Sequence, residues 1–342
     1  MVEFDSNNYS IIIDAMGGDF APEEIIKGSV EARKDYGAKI KLVGNPDKIK
    51  NAAVSNGLDL NGIEIVPSYQ EVGMCEFPSE VLRKKKDSSI FIGSQLVSEG
   101  KGDVFISAGN TGAVMACSLF NMKRIENVYR PAIAVVIPLG DKKFVLIDAG
   151  ANADCKPPYL KQFAIMGKIY SENILGIKNP KVALVNIGEE EKKGNELSVE
   201  SYKLLKDYPG INFIGNIEGR ELFEGRTDVA VCDGFVGNVI LKLVEGLANF
   251  FFGEIKKTLK SGTLAKLSAL TLKGPLINMK KRFDYEEYGG AQLLGLNGLV
   301  IISHGSSKSK AIKNAIRAAI ESLRNNLTRK IDKEINNVNL LR

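Results

Sequence analysis

The chain has 342 residues, 44% of them apolar, a net charge of +5 and a single histidine, His304. That is enough apolar material for a sizeable core, in one large domain or two small ones. The four cysteines (Cys75, Cys117, Cys155, Cys232) are scattered without a C-x-x-C pair, which argues against a disulfide framework or a zinc site and fits a reducing cytoplasm.

The chain opens on MVEFDSNNYS, acidic and polar, with no signal-peptide pattern. Short apolar runs then alternate with amphipathic ones. Strands are predicted at Ile11–Asp14, Ile40–Val43, Ile63–Val66, Val104–Ser107 and Ile133–Ile137. Further strands are predicted at Phe144–Asp148, Val182–Ile187, Ile211–Gly215, Val229–Cys232 and Leu299–Ser303. Helices are predicted over Pro22–Tyr36, Ser88–Glu99, Pro158–Leu175, Glu196–Tyr208, Asn238–Leu259 and Lys308–Asn326, with Pro22 suited to a first helical turn. The longest uncharged stretch, from Val104 to Met122, carries Ser107, Gly109, Asn110, Thr111 and Gly112 in its middle, so a soluble chain is expected. Strands apolar on both faces and separated by helices predict an α/β fold with a largely parallel sheet. No repeat, low-complexity tract or clear linker interrupts the pattern, and residues 1–342 are read as a single catalytic domain.

Open α/β sheets place ligands beyond the carboxyl ends of their strands. Seven predicted strand ends carry glycine with Asn, Asp or Ser: DAMGGDFAP, SAGNTGA, DAGAN, NIGEEEKKGNE, GNIEGRELFEG, CDGFVGN and SHGSSKSK. Any one is an ordinary turn; together on one edge they predict a site. In SAGNTGA, Gly109 and Gly112 let backbone approach a ligand, the next helix offers free amides, and Asn110 and Thr111 add donors. The loop reads equally well as a capped helix start. In CDGFVGN, Asp233 is read either as a helix cap or as a group that orients or deprotonates, and Asn238 as an oxyanion donor. Lys193 could bring its ammonium to a phosphate or oxyanion, although three adjacent glutamates also suit a solvated loop. His304 stands at a strand exit rather than within a packed face, which favours use over passenger status. No Walker motif, G-x-G-x-x-G after the first strand, G-x-S-x-G or H-E-x-x-H occurs. Without an obvious nucleophile, direct transfer to an anion is expected over a covalent enzyme intermediate.

These blocks, with KKKDSSI (84–90), R-PAIA from Arg130, LIDAGAN, DGFVGNVILK and YGGAQLLGLNG, resemble the bacterial phosphate acyltransferase family over nearly the whole chain. The resemblance implies a Rossmann-like α/β/α sandwich similar to phosphate acetyltransferases and to isopropylmalate dehydrogenases. It implies transfer of a long acyl group from acyl carrier protein to inorganic phosphate, giving acyl phosphate for phospholipid synthesis. It also implies a homodimer, no metal or other cofactor, no nucleic-acid partner, and a cytoplasmic protein held loosely at the membrane surface. In the acetyltransferases Ser-Arg-Gly stands where this chain has Ser303-His304-Gly305, which puts His304 in the phosphate or thioester site. Phosphate is then expected at Gly109, Asn110, Thr111 and Gly112, helped by the Gly17-Gly18 turn. Lys193, Asp233, Asn238 and His304 are the expected catalytic set.

Between Glu254 and Asp284 the chain has no acid and eight basic residues, which leaves the remainder at −3. Within this 255–283 segment Leu264, Leu267 and Leu270 recur among Lys256, Lys257, Lys260, Lys266 and Lys273, as on a short interfacial helix. Anionic lipid, acidic carrier protein, or no partner at all each fits that pattern. Three rivals stand beside the transferase: a coenzyme A-linked acetyl- or butyryltransferase on the same fold; a decarboxylating dehydrogenase, for whose metal Asp14, Asp19 and Asp233 are too few; and a non-catalytic scaffold, against which the seven decorated strand ends speak.

Overall fold

A computed structural model describes residues 9–259, 272, 274–277, 279 and 285–340. The chain divides into two compact units, one of residues 1–135, 172–176 and 286–342, the other of 136–171 and 177–285.

The first unit opens with β1 (Ser10–Asp14), α1 (Glu23–Tyr36), β2 (Lys39–Gly44), α2 (Pro46–Ser55) and β3 (Ile63–Pro67). It continues with α3 (Pro78–Lys84), α4 (Ser89–Ser98), β4 (Val104–Ser107), α5 (Thr111–Met122) and β5 (Ala132–Leu139), whose end passes into the second unit. Its strand order is β3-β2-β1-β4 and, after two later strands, β5. Pairs β1–β2, β2–β3 and β1–β4 are parallel. Ile11, Ile12 and Ile13 of β1 are all buried, as a central strand covered on both faces requires.

The second unit contains β6 (Lys142–Ile147), α6 (Pro157–Tyr170), β7 (Lys181–Asn186), α7 (Glu196–Lys206), β8 (Asn212–Glu218), β9 (Val229–Val231) and α8 (Gly234–Thr258). Its strand order is β6-β9-β7-β8, all parallel. The chain then returns to the first unit with β10 (Ala291–Leu294), β11 (Leu299–Ile302), α9 (Ser309–Arg324) and α10 (Leu327–Leu340). There β11 lies parallel to β4, while β10 is antiparallel to both β11 and β5.

Local chemistry explains where several of these elements begin and how they pack. Asn45 caps α2 by accepting the Asp47 and Lys48 amides, and Pro46 occupies its first turn. The helix α1 buries Ile25, Ile26 and Ala32, in one core with Ile312, Ala315 and Ile316 of α9. Gly28 permits that crossing, since a Cβ there would lie 2.5 Å from the Ser309 carbonyl. The helix α9 has no side-chain cap from its own Lys308; instead Glu24 of α1 accepts the Ser309 amide at 2.7 Å.

Two expectations are corrected. The helix predicted from Asn238 begins at Gly234, because Asp233 caps it by accepting the Val236 amide at 2.9 Å. The strand predicted at Ile211–Gly215 runs instead from Asn212 to Glu218, through a register shift in its pairing with β7. Of the basic segment, Lys256 and Lys257 are exposed at the end of α8; Lys260, Leu264, Lys266, Leu267, Leu270 and Lys273 lie outside the described residues.

Candidate functional site

In the first unit the adjacent parallel strands β1, β4 and β11 end on one edge, and their loops interlock. Asp19 donates its amide to the Gly305 carbonyl at 2.8 Å, and the Ser303 amide donates to Ser107 at 2.9 Å. Gly18 has φ +110°, and a Cβ there would meet the Gly305 carbonyl at 3.1 Å and Ala108 at 3.2 Å. Three of the predicted loops, with Gly17, Gly18, Gly109 and His304, therefore form one cluster.

Beneath them sits Asp14, fully buried. Its carboxylate accepts the Ser107 hydroxyl at 2.7 Å and the Met16 amide at 3.0 Å, with the Ser89 side chain and the Gly17 backbone close by. Burial pushes its carboxyl above the ordinary range, and these donors pull it part of the way back. The Ser107 oxygen also accepts the Gly109 amide at 3.0 Å.

Asn110 is corrected as a side-chain ligand. Its Oδ1 caps α5 through the Ala113 amide at 3.0 Å. Its Nδ2 donates to the carbonyls of Gly73, Met74 and Glu76 at 3.2, 2.9 and 3.0 Å. Both ends of the amide are thus engaged, and Asn110 ties the 73–76 loop to the head of α5. The amide of Gly109 is likewise turned inward, to Ser107. What remains for an anion at this helix start is the backbone of Asn110, Thr111 and Gly112 and the exposed Thr111 hydroxyl.

His304 is exposed, with Nδ1 2.7 Å from the Ser306 hydroxyl and accepting the Ser306 amide at 3.2 Å. An accepting Nδ1 leaves the proton of the neutral ring on Nε2. The hydroxyls of Ser303 and Ser307 on either side of this turn are buried and find no partner among the described residues. Met74 reaches the same turn: a Cβ on Gly305 would lie 2.9 Å from its methyl carbon. Neither the Asp14–Ser107 pair nor the Met74 contact was singled out from sequence, although Asp14 and Ser107 open the marked segments DAMGGD and SAGN.

In the second unit β6, β9 and β7 also end on one edge. The buried Asp148 carboxylate accepts the amides of Gly150 (3.1 Å), Ala151 (2.9 Å) and Asn152 (2.8 Å), and the Asn152 side chain at 2.8 Å. The Gly234 amide donates to the Asn152 carbonyl at 2.7 Å, so this loop is sewn to the head of α8. Gly237 is required there, because a Cβ would fall 1.8 Å from the Asp148 carbonyl. Gly150, at φ +139°, lies against Asn238, whose side-chain atoms would be 3.5–3.6 Å from an added Cβ. Asp233 is the cap of α8, the simpler of the two readings offered for it. Lys193 is exposed in the turn before α7; Asn186 accepts nothing from its ammonium but donates Nδ2 to its carbonyl at 2.9 Å. Of the neighbouring glutamates, Glu189 pairs with Arg226 at 2.9 Å and Glu191 with Lys206 at 2.5 Å, and Lys193 has no acidic partner among the described residues. Burial drives the thiols of Cys117 and Cys155 up to about 12, so neither is a nucleophile at neutral pH.

The helix α8 is 25 residues long, and by length and composition it could cross a membrane. Phe235, Val239, Leu243, Leu247 and Phe251 recur every four residues along it and are all exposed. Lys242 and Glu245 form an ion pair of 2.8 Å on the same helix. Beside it lies a cavity of about 520 Å³ lined by apolar side chains including Leu222, Phe223, Ile240, Val244 and Phe252.

The sequence profile described as fatty acid synthesis protein matches residues 9–330. The chain belongs to that family. It is 52% identical over 328 residues to a phosphate acyltransferase of Halothermothrix orenii, covering 95% of this chain and 98% of that protein. It is 51% identical to the phosphate acyltransferase of Desulforamulus reducens, covering 96% and 97%. Among solved structures it superposes on a phosphotransacetylase from Streptococcus pyogenes with a TM-score of 0.64 at 16% identity, covering 94% and 96%. A phosphotransacetylase from Staphylococcus aureus gives 0.62 at 17% identity, with the same coverage. At such identities these two show a shared Rossmann-like α/β fold.

Proposed function

We propose that this chain moves a long-chain fatty acyl group from acyl carrier protein to inorganic phosphate, giving acyl phosphate for phospholipid synthesis. Its membership of a family whose members half identical to it are named phosphate acyltransferases carries this reading.

The chemistry suits the residues. A phosphate oxygen attacks the thioester carbon, a C–O bond forms, and the C–S electron pair leaves on sulfur, which then takes a proton. Phosphate supplies the nucleophile itself, so the protein has to hold it, align it and stabilise the developing oxyanion. The free amides of Asn110, Thr111 and Gly112 and the Thr111 hydroxyl hold phosphate. His304, with Nε2 carrying its proton, and Lys193 serve as electrostatic or proton-transfer groups. Asn238 orients, and Asp233 orients through its hold on the start of α8. Acyl transfer from sulfur to phosphate changes no oxidation state, so no redox cofactor enters.

The apolar cavity beside α8 favours a long hydrocarbon over a two-carbon acyl group. The exposed apolar stripe of α8 favours a homodimer, since monomers seldom leave so continuous a stripe uncovered. Lys256 and Lys257 at the end of that helix favour a peripheral place at an anionic membrane surface on the cytoplasmic side. Purified protein given long-chain acyl carrier protein should release free carrier only when phosphate is added. Faster turnover on acetyl-coenzyme A would favour the short-chain transferase instead.

A further inference from the structure

Among the described residues the carboxylate of Asp14 is the one buried acid at the first unit's loop cluster, and the acyl-transfer chemistry above gives it no task. It accepts the Ser107 hydroxyl and the Met16 amide, and the Ser89 side chain and the Gly17 amide are polar neighbours that also draw its carboxyl down. Those groups come from three places: the loop after β1, the end of β4 and the first turn of α4. Through the Ser107 oxygen the same network captures the Gly109 amide. No lysine or arginine pairs with Asp14 among the described residues. Space is tight as well: a Cβ on Gly17 would lie 2.3 Å from Asp14 Oδ2 and 2.7 Å from the Gly109 nitrogen.

An amide has one hydrogen to give. If Gly109 spends its own on the Ser107 oxygen, the peptide plane ahead of the helix is fixed, and the next three amides, at 110–112, are the ones that remain at the helix start. We infer that Asp14 and Ser107 are positioning residues that set the phosphate-binding backbone of Asn110–Gly112 without touching phosphate themselves. The inference rests on the reading that phosphate binds at those amides. An acid suits this place because a carboxylate offers several lone pairs and no hydrogen, so it can accept from every donor that faces it. An amide at the same position would turn an NH2 group toward a hydroxyl or an N–H.

The test uses the full-length protein in four forms: wild type, Asp14→Asn, Ser107→Ala and the double variant. Affinity for inorganic phosphate is measured by calorimetry without an acyl donor, and KM for phosphate and for acyl carrier protein during turnover. Each single variant should weaken phosphate binding about tenfold, a typical consequence of one misdirected buried hydrogen bond. KM for acyl carrier protein should stay within about twofold, and the double variant should be no worse than the poorer single one, because both act through one network. If Asp14→Asn does not fold, Ser107→Ala decides the matter, since it removes only a hydroxyl. Phosphate affinity within twofold of wild type in folded variants would overturn the inference, as would equal losses for both substrates. Wild type that binds phosphate but transfers no acyl group would refute the proposed reaction and leave the affinity comparison standing. Wild type that binds no phosphate would overturn the inference as well.

Discussion

Replacing Asn110 by alanine removes two connections at once, and their sizes follow from the geometry. Loss of the Oδ1 cap on the Ala113 amide costs about 1 kcal/mol. Loss of the Nδ2 donor shared by the carbonyls of Gly73, Met74 and Glu76 costs about 1–2 kcal/mol more. For a chain of 342 residues the unfolding entropy is about 0.7 kcal/mol/K, so roughly 2–3 kcal/mol lowers the melting temperature by about 3–4 °C. The shift is larger if the first unit melts alone, because the entropy is then smaller. Thermal unfolding followed by circular dichroism reads it directly. Asn110→Asp separates the two contributions, since it keeps the cap but sets carboxylate oxygens against three carbonyls; it should melt no higher than the alanine variant. Both should raise KM for phosphate, because the 73–76 loop is released from the head of α5. Wild-type melting for Asn110→Asp would refute the reasoning, for the Nδ2 contacts would then contribute nothing.

Asp233→Asn, which keeps a capping oxygen, should retain both stability and turnover to within about threefold, whereas Asp233→Ala should lose about 1 kcal/mol in urea unfolding; a collapse of turnover in the asparagine variant would instead mark the charge as essential. Gly237→Ala should destabilise the second unit by about 1–3 kcal/mol or more, because its methyl would lie 1.8 Å from the Asp148 carbonyl. An unchanged urea midpoint would contradict that close approach. The Ser309 amide holds the Glu24 carboxyl below its ordinary range, and a lowered carboxyl contributes stability above the unfolded value that is lost as pH falls through the folded one. Glu24→Gln should therefore lower the urea midpoint at neutral pH, with the gap closing below about pH 4; a gap of constant size down to acid pH would show that the carboxylate charge is not involved.

Much of the fold was legible because buried parallel strands write themselves as short apolar runs: Ile11–Ile13, Val104–Ile106 and Val229–Val231 are recovered almost to the residue. The strand β10 was not, because AQLL is four residues long between Gly289-Gly290 and Gly295, and its glycines read as a loop. The short helices α2 and α3 begin at prolines, and each is too brief for its apolar spacing to repeat. At the candidate site the strand-end loops were visible, since glycine with Asn, Asp or Ser is a sequence signal. Which hydrogen each residue spends was not visible. Asn110 looked like a ligand donor because nothing in SAGNTGA reveals that residues 73–76 present three carbonyls to it. Asp14 read as the last residue of a strand, because its partner Ser107 lies on another strand, 93 residues away. The apolar stripe of α8 was present as residues spaced by four, but sequence alone does not say whether such a stripe faces inward, and here it is exposed.

The most direct test of the proposed reaction is to incubate the purified protein with long-chain acyl carrier protein, with and without inorganic phosphate, and to follow free carrier and acyl phosphate together. Equal amounts of both products, formed only with phosphate and strongly reduced in His304→Ala, are the predicted result. Carrier left fully acylated in the presence of phosphate, with folded protein and competent substrate, would contradict the account and favour a scaffold that binds the carrier without reacting.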